Sequence, residues 1–292
     1  MMTLEEKRKA FKEKLLHAEH MPVLCGAFDG ITARAAQAVG FDGCYMGGQA
    51  AAASMLGVPD IGLTTEAEQI GHARALASCV DMPFIIDADT GYGNQINVRR
   101  TIRDLEQAGI FGAHFEDQVT PKRCGAMSGV ALEKLETAVE KIRTCVQFRK
   151  DPNFLIIGRT DAGSVYGKEE ALKRANAMAD AGADMVFFGH VIESLDEVSY
   201  FCKGSHVPVM FCLMEHSREV CFSLKELEAC GVGCTIWPNG LLMRWFRAAT
   251  ELMRKFKGTG DPKTFYDELM PIKECNEMLG IQDWNPPGMF SV

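Results

Sequence analysis

One short unit recurs along this chain and limits what it can fold into: a helix-like segment ends in glycine, and an apolar run follows at once. Glycine suits the left-handed backbone position that ends a helix, and the apolar residues after it are typical of a buried strand. Repetition of the unit therefore predicts alternating helices and strands. It occurs at 36–46 (AQAVGFDGCYM), 105–117 (LEQAGIFGAHFED), 178–189 (MADAGADMVFFG) and 227–237 (LEACGVGCTIW).

Further apolar runs bring the number of predicted strands to eight. They lie at 22–26 (PVLCG), 83–89 (PFIIDAD), 154–161 (FLIIGRTD) and 207–213 (VPVMFCL). Strands that are apolar on both faces suit a parallel sheet covered by helices, and eight such units predict a closed (β/α)8 barrel, the TIM-barrel fold. We predict an N-terminal helix over 1–22, the barrel over 23–257 and a C-terminal helical extension over 258–292.

Composition excludes several other classes of protein. With 31 basic and 39 acidic residues the formal charge is −8, which argues against a nucleic-acid partner because such proteins carry a basic face. The first residues lack the apolar core of a secretory signal, and no apolar run is long enough to span a bilayer. Eleven cysteines without a CxxC pair indicate free thiols in a reducing compartment. We therefore expect a cytoplasmic protein with no membrane or nucleic-acid partner.

Charged and polar residues fall where the predicted strands end. Carboxyl ends of barrel strands form one face, where barrel enzymes hold their chemistry. Single acids there could simply cap helices, but acids from several neighbouring strands are expected to converge on one mouth. These strand-end residues are Asp87, Asp89, Glu116, Asp117, Arg159, Asp161, His190 and Glu215.

The acids of the third and fourth strands predict a cation site. Asp87 and Asp89 are two residues apart and would point the same way along a strand. With Glu116 they form a cluster of like charges, and hard oxygen ligands without a Cys/His set favour Mg²⁺ or Mn²⁺ over zinc. Arg159 could grip a substrate carboxylate or could form a structural pair with Asp161 or Glu116; spacing alone leaves both open.

Three motifs, in this order and spacing, resemble the isocitrate lyase and phosphoenolpyruvate mutase superfamily: LGVPDIG (56–62), DADTGYGN (87–94) and EDQVTPKRCG (116–125). The branch they resemble most is that of 2-methylisocitrate lyase and 2,3-dimethylmalate lyase. The resemblance implies a barrel whose eighth helix or tail is exchanged between subunits, usually in a tetramer. It also implies Mg²⁺ (or Mn²⁺) as cofactor and a small hydroxy- or keto-acid as substrate.

The resemblance also implies roles for individual residues. Asp87 and Asp89 match metal-site aspartates, and Asp60 and Glu116 match outer carboxylates of the metal site. Tyr45 and Arg159 match positions that contact substrate. Lys122 and Cys124 match the mobile lid, whose thiol moves a proton to or from the released fragment; the flanking cations predict a lowered thiol pKa. Tyr45 or a water on the metal could take the hydroxyl proton of the substrate.

Several positions depart from the family pattern, all in the half of the pocket that would hold the rest of the substrate. Loss of charged and amide groups there predicts a substrate with the same head but a bulkier or less charged tail. Ala126 replaces the lid histidine (CGA instead of CGH), Gly47, followed by Gly48 and Gln49, replaces a Ser or Thr that contacts substrate, Gly189, beside His190, replaces a Glu, Cys212 replaces an Asn while Glu215 is retained, and Pro238-Asn239-Gly240 replaces Pro-Leu-Ser.

We therefore expect a carbon–carbon lyase that cleaves a 2-substituted malate-like acid to a 2-keto acid such as pyruvate. The alternatives are hydrolysis of an oxaloacetate-like acid, phosphonate chemistry on the same metal platform, or a non-catalytic relative that binds a keto acid. His190 could replace the missing Glu or be an ordinary loop histidine. His72 and His114 read as packing residues.

Overall fold

The computed structural model describes residues 2–17, 19–215, 218, 220–285 and 289. Its centre is a closed barrel of eight parallel strands, each paired with its neighbours in chain order and the last with the first. The predicted (β/α)8 fold is confirmed. The strands are β1 (Val23–Gly26), β2 (Gly43–Met46), β3 (Phe84–Asp87), β4 (Gly112–Glu116), β5 (Leu155–Thr160), β6 (Met185–Phe188), β7 (Val209–Cys212) and β8 (Cys234–Trp237).

The strands are buried on both faces because helices surround the barrel and side chains fill it. Every residue of β3, β4, β5 and β6 is buried. The helices in the described part of the chain are α1 (Leu4–His17), α2 (Gly30–Val39), α3 (Gly48–Leu56), α4 (Glu66–Ala77), α5 (Gln95–Gln107), α6 (Leu135–Phe148), α7 (Gly163–Tyr166), α8 (Lys168–Asp180), α9 (Leu195–Gly204), α10 (Leu224–Ala229), α11 (Gly240–Thr259) and α12 (Ile272–Met278), with short 3-10 helices at Pro262–Glu268 and Ile281–Trp284.

The glycines of the recurring unit have the backbone geometry that the sequence predicts. Gly40, Gly109, Gly182 and Gly231 have φ angles of 88°, 81°, 105° and 87°. Each stands after a helix and before a strand, where a residue with a Cβ would be strained. This one conformational requirement explains why the unit can be recognised from sequence.

Helix α1 covers the amino ends of the strands. Its Phe11 and Leu15 are buried in the apolar cluster inside the barrel that also contains Leu24, and Phe11 meets Phe111 edge to face. Lys12 binds Asp184 just before β6 at 2.6 Å. The opposite, carboxyl end of the barrel therefore remains as the mouth.

The C-terminal part presents a different surface. Helix α11 buries only Leu242 among its described residues, while Phe246, Met253 and Phe256 are at least half exposed. These residues recur at helical spacing on α11 and form an apolar face. None of the described helices is long and apolar enough to cross a bilayer, and all eleven cysteines are free thiols.

Candidate active site

Four carboxylates converge at the carboxyl end of the barrel. Asp87 is the last residue of β3, Glu116 the last of β4, Asp89 lies two residues beyond β3, and Asp60 comes from the loop after α3. All four are buried, none more than 7% exposed. Asp89 has left the strand and has a φ of 49°, so a turn, not strand alternation, brings it beside Asp87.

The ammonium of Lys122 lies in the middle of this acid cluster. Its Nζ is 2.8 Å from Asp60 Oδ1, 2.9 Å from Asp89 Oδ1 and 3.8 Å from Asp87 Oδ2. Burial alone would lower the pKa of Lys122, but the surrounding carboxylates outweigh it and raise the pKa well above its ordinary value. Lys122 therefore stays charged and holds the acids together.

Close approach of α3 to the cluster depends on a glycine. A Cβ at Gly48 would lie 2.8 Å from Lys122 Nζ and 3.1 Å from Asp87 Oδ2. The bare backbone allows Gly48 N to donate to Asp87 Oδ2 at 3.3 Å. The predicted contact residue Gly48 thus contributes its amide and its lack of a side chain.

Arg159 makes the structural pairs that the spacing left open. Its Nη1 lies 3.1 Å from Glu116 Oε2 and 3.5 Å from Asp87 Oδ2, and its Nη2 donates to Asp161 Oδ1 at 3.1 Å. The guanidinium also stacks over Phe187, 5.1 Å from the ring centre, and borders the central cavity. It therefore both balances the acids and faces any ligand.

The carboxylates do not share one pKa. Burial would raise the pKa of Asp87, but His114 (charged only at acidic pH), Lys122 and Arg159 outweigh burial and hold that pKa well below its usual range. Burial and the negative charges of Asp87 and Asp60 raise the pKa of Asp89 to about 6. Burial likewise raises the pKa of Glu116 well above its ordinary value. Negative charge is crowded here beyond what the two cations relieve.

His114 is fully buried, as expected of a packing residue, and it also contacts two residues of the site. It shares a hydrogen bond of 2.6 Å between its Nε2 and Tyr45 Oη, and its Nδ1 lies 3.6 Å from Asp87 Oδ1. Burial lowers the pKa of His114 to about 4, so the ring is neutral at neutral pH. His114 and Glu116 alternate with buried outward residues along β4, and this spacing could have identified it.

Tyr45 does not have the protonation state that a base needs. Burial first, and then the charge of Asp87, raise the pKa of Tyr45 well above its ordinary value. The phenol therefore keeps its proton at neutral pH. A protonated phenol cannot take the proton of the substrate hydroxyl, although Tyr45 does border the cavity.

The lid, defined as residues 121–129, lies closed over the cluster. Cys124 N donates to Asp60 O at 3.1 Å, and Gln118 holds Arg123 through its side-chain oxygen and nitrogen at 2.9 and 2.8 Å. A Cβ at Gly125 would lie only 2.2 Å from Gly189 O. Two glycines thus allow the lid to dock on the loop after β6.

Cys124 belongs to this lid and borders the same cavity as Arg159. The expectation of a lowered thiol pKa is wrong. Burial, the largest influence, raises the pKa of Cys124, although Arg159, Lys122 and the Ala126 amide oppose the rise. The thiol is therefore protonated at neutral pH and suits a proton donor better than a nucleophile.

The cavity under the lid has a volume of about 50 Å³. The predicted residues Gly47, Gly48, Cys212, Pro238 and Asn239 all border it, together with Gln49 and Ala126. Gln49 is thus a cavity residue beyond those predicted from the sequence. No histidine and no lysine borders this cavity among the described residues, so its side away from the acids is neutral.

Two predicted contact residues, His190 and Glu215, lie outside the cavity. The His190 ring occupies the space left by Gly163, whose Cβ would be 2.0 Å from it, and meets Phe201 edge to face. Glu215 accepts a hydrogen bond from Trp237 Nε1 and borders a neighbouring cavity. These contacts place both side chains beside neighbouring cavities, so their contact with substrate stays a prediction.

The donor set nevertheless suits a divalent cation. Carboxylate oxygens are the ligands that Mg²⁺ prefers, and Glu116 Oε1 is buried with no hydrogen-bond donor in the described chain. As the side chains now stand, no group of three or more His, Cys, Asp or Glu residues among those described is arranged to hold a metal. The Lys122 ammonium provides the positive charge instead.

Comparison with known proteins agrees with this geometry. Residues 11–257 match the family described as phosphoenolpyruvate phosphomutase. The chain is 36% identical over 280 residues to the probable 2-methylisocitrate lyase 1 of Corynebacterium glutamicum, covering 96% of this chain and 91% of that protein. It is also 36% identical over 269 residues to the 2,3-dimethylmalate lyase of Eubacterium barkeri, covering 92% and 93%.

Solved structures of related proteins have the same fold. A 2,3-dimethylmalate lyase structure superposes with a TM-score of 0.88 at 32% identity, covering 97% of this chain and 94% of that one. An oxaloacetate acetylhydrolase with 3,3-difluorooxaloacetate gives 0.88 at 29%, covering 95% of each chain. A phosphonopyruvate hydrolase complex with oxalate and Mg²⁺ gives 0.86 at 25%, covering 95% and 96%. The chain belongs to the phosphoenolpyruvate mutase and isocitrate lyase superfamily.

Proposed function

We propose that this protein is a carbon–carbon lyase that cleaves a 2-substituted malate-like acid to a 2-keto acid such as pyruvate. One observation carries the proposal: the closed lid brings the protonated thiol of Cys124 to the same small cavity that Asp87 and Arg159 border. A proton donor opposite a site for an acidic head is what cleavage of a carbon–carbon bond beside a hydroxyl requires. The two lyases among the relatives support this reading.

The cofactor is proposed to be Mg²⁺ or Mn²⁺. Asp87 and Asp89 would hold it, with Asp60 and Glu116 around them, and the phosphonopyruvate hydrolase complex with Mg²⁺ supports this choice. When bound, the cation supplies positive charge that stabilises the negative oxygens of the acid head. Lys122 would have to leave part of its present place among the carboxylates.

The protein's own residues perform the remaining steps. Arg159 orients the head carboxylate, and Tyr45, hydrogen-bonded to His114, positions the substrate hydroxyl. A water molecule at the acid cluster accepts the hydroxyl proton, the keto group forms as the bond from C2 to C3 breaks, and the electron pair of that bond remains on the departing carbon; a proton from water later restores the thiol. The Cys124 thiol gives its proton to that carbon, and the docked lid excludes water from the carbanion.

The test is release of keto acid. Purified protein with Mg²⁺ is given 2-alkylmalates, 2-methylisocitrate, oxaloacetate and phosphonopyruvate. Keto-acid formation is followed with a coupled dehydrogenase, while acetate and oxalate are assayed separately. We expect pyruvate or a longer 2-keto acid from at least one alkylmalate, and no release after EDTA treatment.

Three outcomes would contradict the lyase assignment. Oxalate and acetate formed only from oxaloacetate would indicate the hydrolase. Turnover of phosphonopyruvate alone would indicate phosphonate chemistry. Absence of all turnover, together with Mg²⁺-dependent thermal stabilisation by oxalate, would indicate a non-catalytic binding protein.

The assembly is proposed to be a homotetramer with exchanged C-terminal helices. The apolar face of α11, formed by Met243, Phe246, Met253 and Phe256, supports this because each side chain is at least half exposed in the single chain. Light scattering after size-exclusion chromatography should give four times the 32.1 kDa chain mass, and Phe246→Asp should reduce it. A monomeric wild-type protein would exclude this assembly. Eleven free thiols support the expectation that the protein works in the reducing cytoplasm.

A further inference from the structure

The lid stands on a base formed by the two chain segments that lead into it and out of it. Segments 117–119 and 131–133 pair as antiparallel strands, through two backbone hydrogen bonds of 2.8 Å and a bridge between Gln118 and Leu132. This pairing fixes the backbone of Gln118 without any help from the lid itself. The side chain of Gln118 is buried, with the whole residue only 1% exposed.

The Gln118 amide clamps the backbone of Arg123 in the lid. Its Oε1 accepts from Arg123 N at 2.9 Å, and its Nε2 donates to Arg123 O at 2.8 Å. The same Nε2 also donates to Asp161 Oδ2 at 2.9 Å. Exchange of nitrogen and oxygen in this amide would break all three bonds, because a backbone N–H only donates while a carbonyl and a carboxylate accept. One side chain therefore joins the lid to the end of β5.

The Asp161 carboxylate is shared between Gln118 and Arg159. Its Oδ2 accepts from Gln118, and its Oδ1 accepts from Arg159 Nη2 at 3.1 Å. The backbone N–H of Asp161 donates to Asp117 Oδ1 at 3.0 Å, and Asp117 Oδ2 in turn accepts from Arg174 Nη1 at 3.1 Å. Asp161 is thus anchored at its backbone, and its two side-chain donors set the orientation of the carboxylate.

The docked lid lies directly on the pair formed by Asp161 and Arg159. A Cβ at Gly125 would be 2.4 Å from Asp161 Oδ1 and 3.0 Å from Arg159 Nη2. Arg159 also borders the cavity under the lid. The position of the lid and the position of the guanidinium therefore depend on each other.

Opening of the lid would remove two of the three hydrogen bonds of the Gln118 amide. A polar group that loses its partners gains free energy by turning toward water, and Asp161 Oδ2 then loses its donor as well. The carboxylate that holds Arg159 becomes free to rotate. Coupling of this kind is reciprocal: a ligand that holds Arg159 in place favours the docked lid, and the docked lid favours that ligand by the same factor.

We propose that Gln118 is a positioning residue that couples docking of the lid to the orientation of Arg159 through Asp161. The inference rests on the proposed function, since it takes Arg159 to be the group that binds the head carboxylate. The coupling ensures that the lid, which carries the thiol of Cys124, docks most stably over a correctly bound acid head.

The test combines hydrogen exchange of the lid with binding of oxalate, which probes the head site alone. Exchange of the peptide that contains Arg123 and Cys124 is followed by mass spectrometry without ligand, with Mg²⁺, and with Mg²⁺ and saturating oxalate. Oxalate affinity is measured by calorimetry at a fixed concentration of free Mg²⁺. In wild type, we expect oxalate to slow exchange of the lid amides by about tenfold or more, a common size for coupling between two sites.

Gln118→Leu should break the link between the lid and the head site. Without ligand, the lid amides should exchange about tenfold faster than in wild type, as for the loss of one to two hydrogen bonds. Oxalate should then slow their exchange by less than about twofold, and oxalate affinity should fall by about tenfold, because the coupling is reciprocal. Gln118→Asn, one methylene shorter, should shift all three quantities in the same direction by smaller factors, and it replaces the leucine variant if that variant does not fold.

Asn176→Leu is the matched control. Asn176 on α8 clamps a loop in the same way, donating to Gly204 O at 2.9 Å and accepting from His206 N at 3.0 Å. This loop leads into β7, at the end of the barrel opposite the lid. Its loss should lower the melting temperature, as the loss of Gln118 does, but should change lid exchange and oxalate affinity by less than about twofold because the sites are far apart.

Three results separate this inference from the proposed function. If oxalate protects the lid of Gln118→Leu as strongly as that of wild type, the coupling is wrong while the proposed function stands. If the coupling is observed but no malate releases a keto acid, the proposed reaction is wrong and Gln118 still links the lid to the head site. If oxalate does not bind wild type in the presence of Mg²⁺, the head site is wrong and both proposals fail.

Discussion

The two halves of the active-site cavity are built on opposite principles. The acid half consists of buried charges that hold one another: three of its carboxylates contact Lys122, and Glu116 contacts Arg159. The neutral half consists of small and uncharged residues, with Gly47, Cys212 and Asn239 around the same cavity. Buried charges are expensive unless paired, whereas small neutral groups chiefly decide what shape and polarity fit.

Because of this difference, the side chains of the neutral half can vary more freely than those of the acid half. A change in the acid half alters buried charges that hold one another, and so changes both stability and metal binding. A change in the neutral half alters space and hydrogen bonding but leaves the head site in place. The same barrel can therefore keep one head chemistry and exchange its tail specificity, which agrees with the different substrates named for the related structures.

The largest loss of activity is expected when a charge is removed from the acid half. Asp87→Asn should lower kcat/KM by about 10³-fold or more, since it removes a proposed metal ligand and a contact of Arg159. Steady-state keto-acid release measures the loss. Asp104→Asn, at a half-buried position on α5 outside the site, is the control and should retain activity. An Asp87→Asn enzyme with more than a tenth of wild-type activity would contradict the proposed role of the acid half.

A smaller loss is expected from the lid thiol. Cys124→Ser should lower kcat by about 10² to 10³-fold because a serine hydroxyl is a far weaker acid than a thiol. Oxalate binding should remain, since the head site does not include the sulfur. Cys145→Ser, at a buried thiol outside the site, serves as the control for oxidation and general loss of cysteine. Equal activity of Cys124→Ser and wild type would exclude the thiol as proton donor.

Lid docking can be perturbed through the backbone of the lid itself. Gly125→Ala places a Cβ about where Gly189 O now lies, at 2.2 Å, so the lid cannot dock as observed. We expect kcat/KM to fall by about tenfold to hundredfold, the loss typical of misplaced catalytic groups. Gly71→Ala is the matched control because its Cβ would meet nothing within 4 Å. A fully active Gly125→Ala enzyme would show that closure at this contact is not required.

Much of this could be predicted from the sequence because it follows from local rules. The glycine that ends each helix and the apolar strand after it identify the eight units, and strand ends identify the acids. The three motifs predicted that Asp60, Lys122 and Cys124 belong to one site, and in the structure Asp60 contacts both of the others.

The rest depends on three-dimensional environment. Burial, which spacing does not reveal, reversed the expected pKa shift of Cys124 and keeps the Tyr45 phenol protonated. His190 and Glu215 follow their strands as predicted. His190 contacts Phe201 and Glu215 accepts a hydrogen bond from Trp237, so both lie beside the cavity under the lid and do not border it. The Gln49–Asn239 hydrogen bond joins positions 190 residues apart, which only closure of the barrel brings together.

The smallest expected effect is on the free energy of unfolding. Here the loss of a buried carboxylate from the acid half should stabilise the protein. Burial and the neighbouring acids raise the pKa of Asp89 to about 6, above its ordinary value of 3.8. Its contribution to folding is therefore fully present below pH 4 and is lost as the pH rises through 6. At pH 8 without metal, Asp89→Asn should increase the free energy of unfolding by about 1 to 3 kcal/mol, and at pH 4 it should change little.

Mg²⁺ is expected to reverse the stabilisation by Asp89→Asn, and this reversal makes the prediction specific to the acid half. Mg²⁺ should raise the melting temperature of wild type more than that of Asp89→Asn, because the ionised carboxylate is what the cation stabilises. Asp104 offers a control of opposite sign, since Arg103 and Arg100 outweigh its burial and lower its pKa, so Asp104→Asn should slightly destabilise the metal-free protein at pH 8. If Asp89→Asn instead destabilises the metal-free protein at pH 8, the crowded charges are already balanced by Lys122 and Arg159, and the acid half has no need of a divalent cation.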